Sequence, residues 1–166
     1  MQYAVQIKKA THYLDSLLAI VQKLALFRDC TPAQVREVLQ ICVSHSFKEG
    51  EVICKAGAKS ENMFVILTGS VEIRTAEDVP LLTEDSVTTI GEAGLLTGEV
   101  RSATVVAKTA VTTLSMNRRR LLPLMNQDMA LTKYLYRNVL FMVRGKLVAS
   151  NRRISELLQQ RTESAD

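Results

Sequence analysis

Glycine is distributed so unevenly along this chain that it divides the sequence into three parts. Of seven glycines, six lie between Gly50 and Gly98; the first 49 residues carry none, and the last 68 carry only Gly145. Glycine supplies turn conformations and weakens helices, so the pattern predicts helix, then a turn-rich β region, then helix. The spacing of apolar residues agrees. Ile7, Ala10, Leu14, Leu17, Val21 and Leu24 recur at three- and four-residue steps and predict one helical stripe. A second helix start stands at Thr31-Pro32-Ala33-Gln34. Thr31 is placed to cap, Pro32 suits the first turn, and Gln34 can reach back as in a capping box. Val35, Val38, Leu39 and Cys42 form its inner face.

From Ser46 onward the runs are short and β-rich: Val52–Lys55, Met63–Thr68, Ser70–Thr75, Pro80–Thr83, Ser86–Ile90, Ser102–Ala107 and Ala110–Met116. Many short strands at this spacing predict a sandwich or jelly-roll barrel. Asn117 is a cap for the third segment. Pro123 predicts a break or kink there, because proline inside a helix costs about 3 kcal/mol. Beyond Asp128 a long helix is expected from about Met129 to Gln160. Leu140, Val143, Leu147, Ile154 and Leu157 fit a and d heptad positions, with Ser150 at a d position among them. Such a stripe packs either on its own barrel or on a second copy of the chain. A terminal helix that outruns a small barrel favours the second copy, and a homodimer is expected.

Composition excludes several classes. The chain has 166 residues, 47% apolar and 23% charged, enough for one domain with an extension and too apolar for wholesale disorder. The apolar run Leu17 to Val21 is far too short for a membrane span, and no signal-peptide cleavage pattern accompanies it. The expectation is a cytoplasmic chain with no membrane contact. Cys30, Cys42 and Cys54 form no CxxC pair and read as buried or half-buried thiols, and His12 and His45 stand far apart. No metal site is expected from them, and no GxSxG elbow marks a catalytic serine. The charge is asymmetric: residues 117–153 hold nine Lys and Arg against the single acid Asp128. A solvated helix face is the plainer account of it; nucleic acid or an anionic membrane surface is the other. The stretch lacks the aromatic interleaving that stacks bases.

The chemistry is concentrated between Ile90 and Val105. Ile90-Gly91-Glu92-Ala93-Gly94-Leu95-Leu96-Thr97-Gly98-Glu99-Val100-Arg101-Ser102-Ala103-Thr104-Val105 reads as strand, short helical turn, glycine loop and strand. Backbone N–H groups at a helix start favour an anion. Arg101, just past the loop, can lean over the same spot and grip a phosphate. Glu92 at the helix start needs a donor other than phosphate, and a sugar hydroxyl is the natural one. The residues thus point to a phosphorylated sugar; a structural hairpin remains the alternative.

At these residues the chain resembles the cyclic nucleotide-binding domain family, which includes the catabolite activators and the regulatory subunits of cAMP-dependent kinase. The family's phosphate-binding cassette reads roughly F-G-E-L-A-L-x-x-G-x-x-R-A/S-A-T-V. Ile90, Gly91, Glu92, Gly98, Arg101, Ser102, Ala103, Thr104 and Val105 stand in matching places. Phe47 to Gly57 and Met63 to Ile73 resemble the family's first barrel strands, and the likeness runs from about Leu24 to Ser150. There are departures: Thr88-Thr89 stand where Gly-Asp is usual, and Ala93-Gly94 replace Leu-Ala or Leu-Gly.

The resemblance implies a role for each matched position. Arg101 would neutralise the cyclic phosphate and Ser102 would also contact it. Amides around Gly91, Ala93 and Ala103 would add hydrogen bonds. Glu92 would accept from the ribose 2′-OH. Cys54, Ile73, Leu82 and Ile90 would line the apolar side, and a lid would come from around Arg144 to Asn151. Ser102 points to cAMP, with cGMP also open.

The expected fold is α+β: a jelly-roll barrel of about eight short strands with N-terminal helices and a long C-terminal helix. Residues 1–23 are expected as a helical extension, 24–126 as the nucleotide-binding domain and 127–166 as lid, dimerisation helix and tail. The expected function is a non-catalytic cAMP sensor without cofactor that moves its C-terminal helix and acts on an effector in trans. A binding-dead scaffold is the main alternative. A jelly-roll metalloenzyme lacks its histidines. Six residues after Gln160 leave no room for a helix-turn-helix, so sequence-specific DNA binding is not expected.

Overall fold

The computed structural model describes residues 14–163, so Ile7 and Ala10 of the first stripe lie outside the described residues. Helix α1 spans residues 14–21, and a 3-10 turn follows at Ala25–Phe27. Helix α2 is Pro32–Gln40. Its capping box is formed: the Gln34 N–H donates to Thr31 Oγ1, and the Gln34 side chain accepts from the Thr31 N–H.

Eight strands make two four-stranded antiparallel sheets. One sheet, ordered β1-β8-β3-β6, holds β1 (Val43–Phe47), β8 (Val111–Asn117), β3 (Asn62–Thr68) and β6 (Thr88–Ile90). The other, ordered β2-β7-β4-β5, holds β2 (Val52–Cys54), β7 (Thr104–Ala107), β4 (Ser70–Arg74) and β5 (Pro80–Asp85). This is the expected jelly roll. All seven predicted strands are present. The eighth, β1, begins where a helix face was expected to end at Cys42 and a β region to open only at Ser46. Val43 to Ser46 are exposed, so β1 shows no buried alternation; it exists through pairing with β8 alone, from Val43 opposite Ser115 to Phe47 opposite Val111. Cys42 just before it is half-buried, and burial pushes its thiol up to about 12.

Helix α3 (Glu92–Thr97) lies between β6 and β7, and α4 (Arg118–Gln127) and α5 (Met129–Glu163) close the chain. Asn117 caps α4, accepting from the Arg119 N–H. The break expected at Pro123 is absent. Pro123 sits inside a continuous α4 with its ring exposed, and the helix forgoes the hydrogen bond that its N–H would have made. The chain turns instead at Asp128, which is extended. Its Oδ1 accepts from the Leu131 N–H at the start of α5, and its Oδ2 accepts from the Gln34 side chain at 2.6 Å. These bonds, that from Gln34 foremost, hold the Asp128 carboxyl below the usual carboxylate range.

Two cores hold the fold together. Between the sheets, Ile53, Phe64, Ile66, Val71, Ile90, Val105, Ala107 and Val111 pack on one another, with Ile73 and Cys54 at the margin. On the helical side, Leu17, Leu18 and Val21 of α1 join Val35 and Val38 of α2, Leu95 and Leu96 of α3, and Leu131, Leu135 and Val139 of α5. Each such side chain contributes about 1.5–3 kcal/mol by leaving water. One apolar cluster therefore links the cassette helix α3 to the root of α5.

Candidate binding site

Gly91 is the N-cap of α3 and has φ +80°, a left-handed conformation that favours glycine. A Cβ at Gly91 would overlap Arg101 Nη1, so glycine here also lets the guanidinium lie against the start of α3. Gly94 is excluded from bearing a side chain for a second reason: a Cβ there would overlap Ser60 Oγ. The close approach of Gly94 to Ser60 thus fixes a small residue at this place in the cassette.

Arg101 is buried. Its backbone is pinned on both sides, the N–H donating to Ala58 O and the carbonyl accepting from the Gly57 N–H, each at 2.8 Å. Its Nη2 donates to the carbonyl of Asn62, and its guanidinium carbon lies 5.7 Å from the centroid of the Phe64 ring. Nη1 has no protein partner. Glu92, the first residue of α3, is also buried. Its Oε1 accepts from Lys146 Nζ of α5 at 2.5 Å, and its Oε2 has no partner.

Among the described residues, four buried side-chain polar atoms lack a hydrogen-bond partner: Ser60 Oγ, Glu92 Oε2, Arg101 Nη1 and Arg118 Nε. All four belong to the cassette or border it. Arg118 lies beside Gly98, the C-cap of α3, where a Cβ would stand 3.5 Å from Arg118 Cζ. A buried polar group without a partner costs about 1–3 kcal/mol, and more if charged. Such costs, gathered around one short helix, mark a place built for a polar ligand with acceptors toward Arg101 and a donor toward Glu92.

The remaining candidate residues fall around this point. Ile90 is buried at the end of β6, next to Gly91. Ile73 is half-buried on β4, opposite Val105 on one side and Leu82 on the other. Leu82 shares that face, yet it is 48% exposed because β5 is the sheet's edge strand. Ala93 and Ser102 are exposed and Ala103 is half-buried. Ser102 and Ala103 precede β7 rather than belong to it, so their backbone groups are not used up by a ladder. Cys54 on β2 is half-buried; burial pushes its thiol up, while the Arg101 charge and a hydrogen bond from the Val105 backbone pull it down. Among the described residues, no group of His, Cys, Asp and Glu is placed to hold a metal ion. No helix among them is long and apolar enough to cross a membrane.

Sequence reasoning missed Asn62, Ser60 and Lys146. Asn62 acts through its carbonyl, which every residue carries. Ser60 is marked only by the Gly94 it faces. Lys146 lies inside the window expected for the lid, but it is one of nine basic residues between positions 117 and 153.

The family model of the cyclic nucleotide-binding domain matches residues 44–128. The chain belongs to the cyclic nucleotide-binding domain family, and its barrel with the α3 cassette is that family's binding fold. A cyclic nucleotide-gated potassium channel of Mesorhizobium japonicum is 35% identical over 98 residues, which are 59% of this chain and 27% of the channel. A cGMP-dependent protein kinase of Plasmodium berghei is 30% identical over 62% of this chain and 12% of the kinase. The chain therefore spans about a quarter or less of the length of these relatives. Among solved structures, the N-terminal domain of a Streptomyces coelicolor transcriptional regulator superposes with TM-score 0.66 at 24% identity, covering 75% of this chain and 92% of that one. The Thermus thermophilus catabolite activator protein gives TM-score 0.66 at 21% identity over 80% of this chain and 62% of its own. At that identity the two share the fold.

Proposed function

We propose that this chain is a non-catalytic cyclic nucleotide sensor that takes cAMP at the α3 cassette and passes the binding event to α5. The observation that carries the reading is the pair of buried, unpartnered atoms Arg101 Nη1 and Glu92 Oε2. A cyclic nucleotide brings an acceptor for the first, its phosphate, and a donor for the second, its ribose hydroxyl. Gly91, Ala93, Ser102 and Ala103 are assigned to the phosphate, and Ile73, Leu82 and Ile90 to the apolar wall. Ser102 favours cAMP; the relatives are named for cyclic nucleotides in general or for cGMP, so cGMP is the competitor to test.

The relay runs through the shared core of Leu95, Leu96, Leu131, Leu135 and Val139. In this reading 24–126 is the binding unit and 127–166 the lid and dimerisation helix. The dimer reading draws on Leu140, Val143, Leu147, Ile154 and Leu157, all exposed along α5. An effector in trans completes the assignment. The three free cysteines fit a reducing compartment, the cytoplasm.

Calorimetric titration with cAMP and cGMP tests the reading. The expected result is micromolar or tighter binding of cAMP, about −8 kcal/mol or better. Arg101→Ala should weaken it by about 2–5 kcal/mol, roughly thirty- to several-thousand-fold. No heat and no competition with either nucleotide at millimolar concentration would leave the scaffold reading in its place.

A further inference from the structure

The ion pair between Lys146 and Glu92 joins residues 54 apart in the chain, one on α5 and one at the first position of α3. The two ends differ in environment. The Glu92 side chain is 4% exposed, while that of Lys146 is 52% exposed. Burying a carboxylate is costly unless a counter-charge and hydrogen bonds meet it. Lys146 supplies both to Oε1 and leaves Oε2 unpartnered. Arg101 and Glu92 alone sum to zero, and Lys146 adds a positive charge at the carboxylate itself. The lysine further cancels the repulsion that a bare Glu92 would exert on that phosphate.

We infer that Lys146 is a positioning residue for recognition of the ribose: it holds the Glu92 carboxylate by Oε1 and presents Oε2 to a hydroxyl donor. The inference rests on the cyclic nucleotide reading of the site. It makes the position of α5 and the reading of the 2′-hydroxyl properties of one carboxylate. A nucleotide without that hydroxyl loses the bond to Oε2 and gains nothing from Lys146 beyond the general charge.

The test compares cAMP with 2′-deoxy-cAMP by titration calorimetry on the full chain, as wild type, Lys146→Met and Lys146→Arg. Methionine keeps an unbranched apolar stem one atom shorter than lysine and removes the charge, and arginine keeps the charge. Wild type is expected to favour cAMP by at least about tenfold, the scale of a hydrogen bond to a charged group. In Lys146→Met that ratio should fall below about threefold, as the freed carboxylate leaves its aim, and Lys146→Arg should bring it back to within about twofold of wild type. A Lys146→Met variant that keeps the wild-type ratio overturns the inference. So does a lost ratio that arginine does not restore, because helix packing and not charge would then be the cause. If wild type binds neither nucleotide at millimolar concentration, the cyclic nucleotide reading itself fails and the ribose role goes with it. Binding with an unaltered ratio removes only Lys146.

Discussion

Along α5, Leu131, Leu135 and Val139 are 0%, 1% and 7% exposed, whereas Leu140, Leu147 and Leu158 stand at 69%, 60% and 59%. Both stretches carry apolar residues at three- and four-residue steps, and both belong to one unbroken helix. The difference lies in what faces them. The first stretch meets the 3-10 turn, α3 and α4, and it is fastened by polar contacts as well. Asn138 is buried and donates from Nδ2 to the carbonyls of Leu26 and Arg28, and Arg137 pairs with Asp29 at 2.5 Å. The second stretch runs past the barrel with its apolar residues in solvent. There, Lys146 reaches back to Glu92. One helix thus joins a root packed in the same apolar cluster as α3 to an arm whose apolar side chains are exposed.

The contrast can be broken most forcefully at the root. Leu135→Ala leaves a cavity among Leu95, Leu131 and their neighbours and should cost about 2–5 kcal/mol of folding stability in urea denaturation. A cost under about 1 kcal/mol would show that the root is not anchored. Asn138→Ala comes next. It deprives the carbonyls of Leu26 and Arg28 of their donor, and a loss of about 1–3 kcal/mol is expected in the same assay. An unchanged midpoint would mean that water serves these carbonyls as well as the amide does. The smallest effect on folding belongs to the arm. Leu147→Ala should alter stability by no more than about 0.5 kcal/mol in dilute protein. Sedimentation should nevertheless show weaker self-association for this variant than for wild type. A full chain that stays monomeric at high micromolar concentration would remove the dimer reading, and the arm's apolar stripe would need another partner.

Much of this molecule was legible in local signals. The capping box at Thr31 and Gln34 and the cap at Asn117 are bonds between residues two or three apart, so spacing alone reveals them. The cassette is likewise contiguous: a glycine, an acid and an arginine nine residues further along report a turn, a short helix and a returning strand. Seven strands announced themselves by β-branched and apolar runs between turns. Their ends shifted by a residue or two, because a ladder ends where its partner does. Ser102 and Ala103 fell outside β7 for this reason.

Other features were beyond any local reading. β1 has few apolar residues to bury, and only the neighbouring β8, nearly seventy residues away in sequence, makes it a strand. Pro123 had every local reason to break a helix. The turn came at Asp128 because that carboxylate is held by Gln34 from α2 while it caps α5. The partner of Arg101 is a backbone carbonyl, at Asn62, and carbonyls have no letter in a sequence. Lys146 gives the same lesson at the site itself. Chain-local chemistry placed Glu92 and Arg101 on either side of one loop, since the backbone between them is short and its glycines leave it few paths. Which lysine of a basic helix would settle on that glutamate depended on where α5 lies across the barrel, and that is set by the packing of Leu131, Leu135 and Val139 against residues far away in the chain.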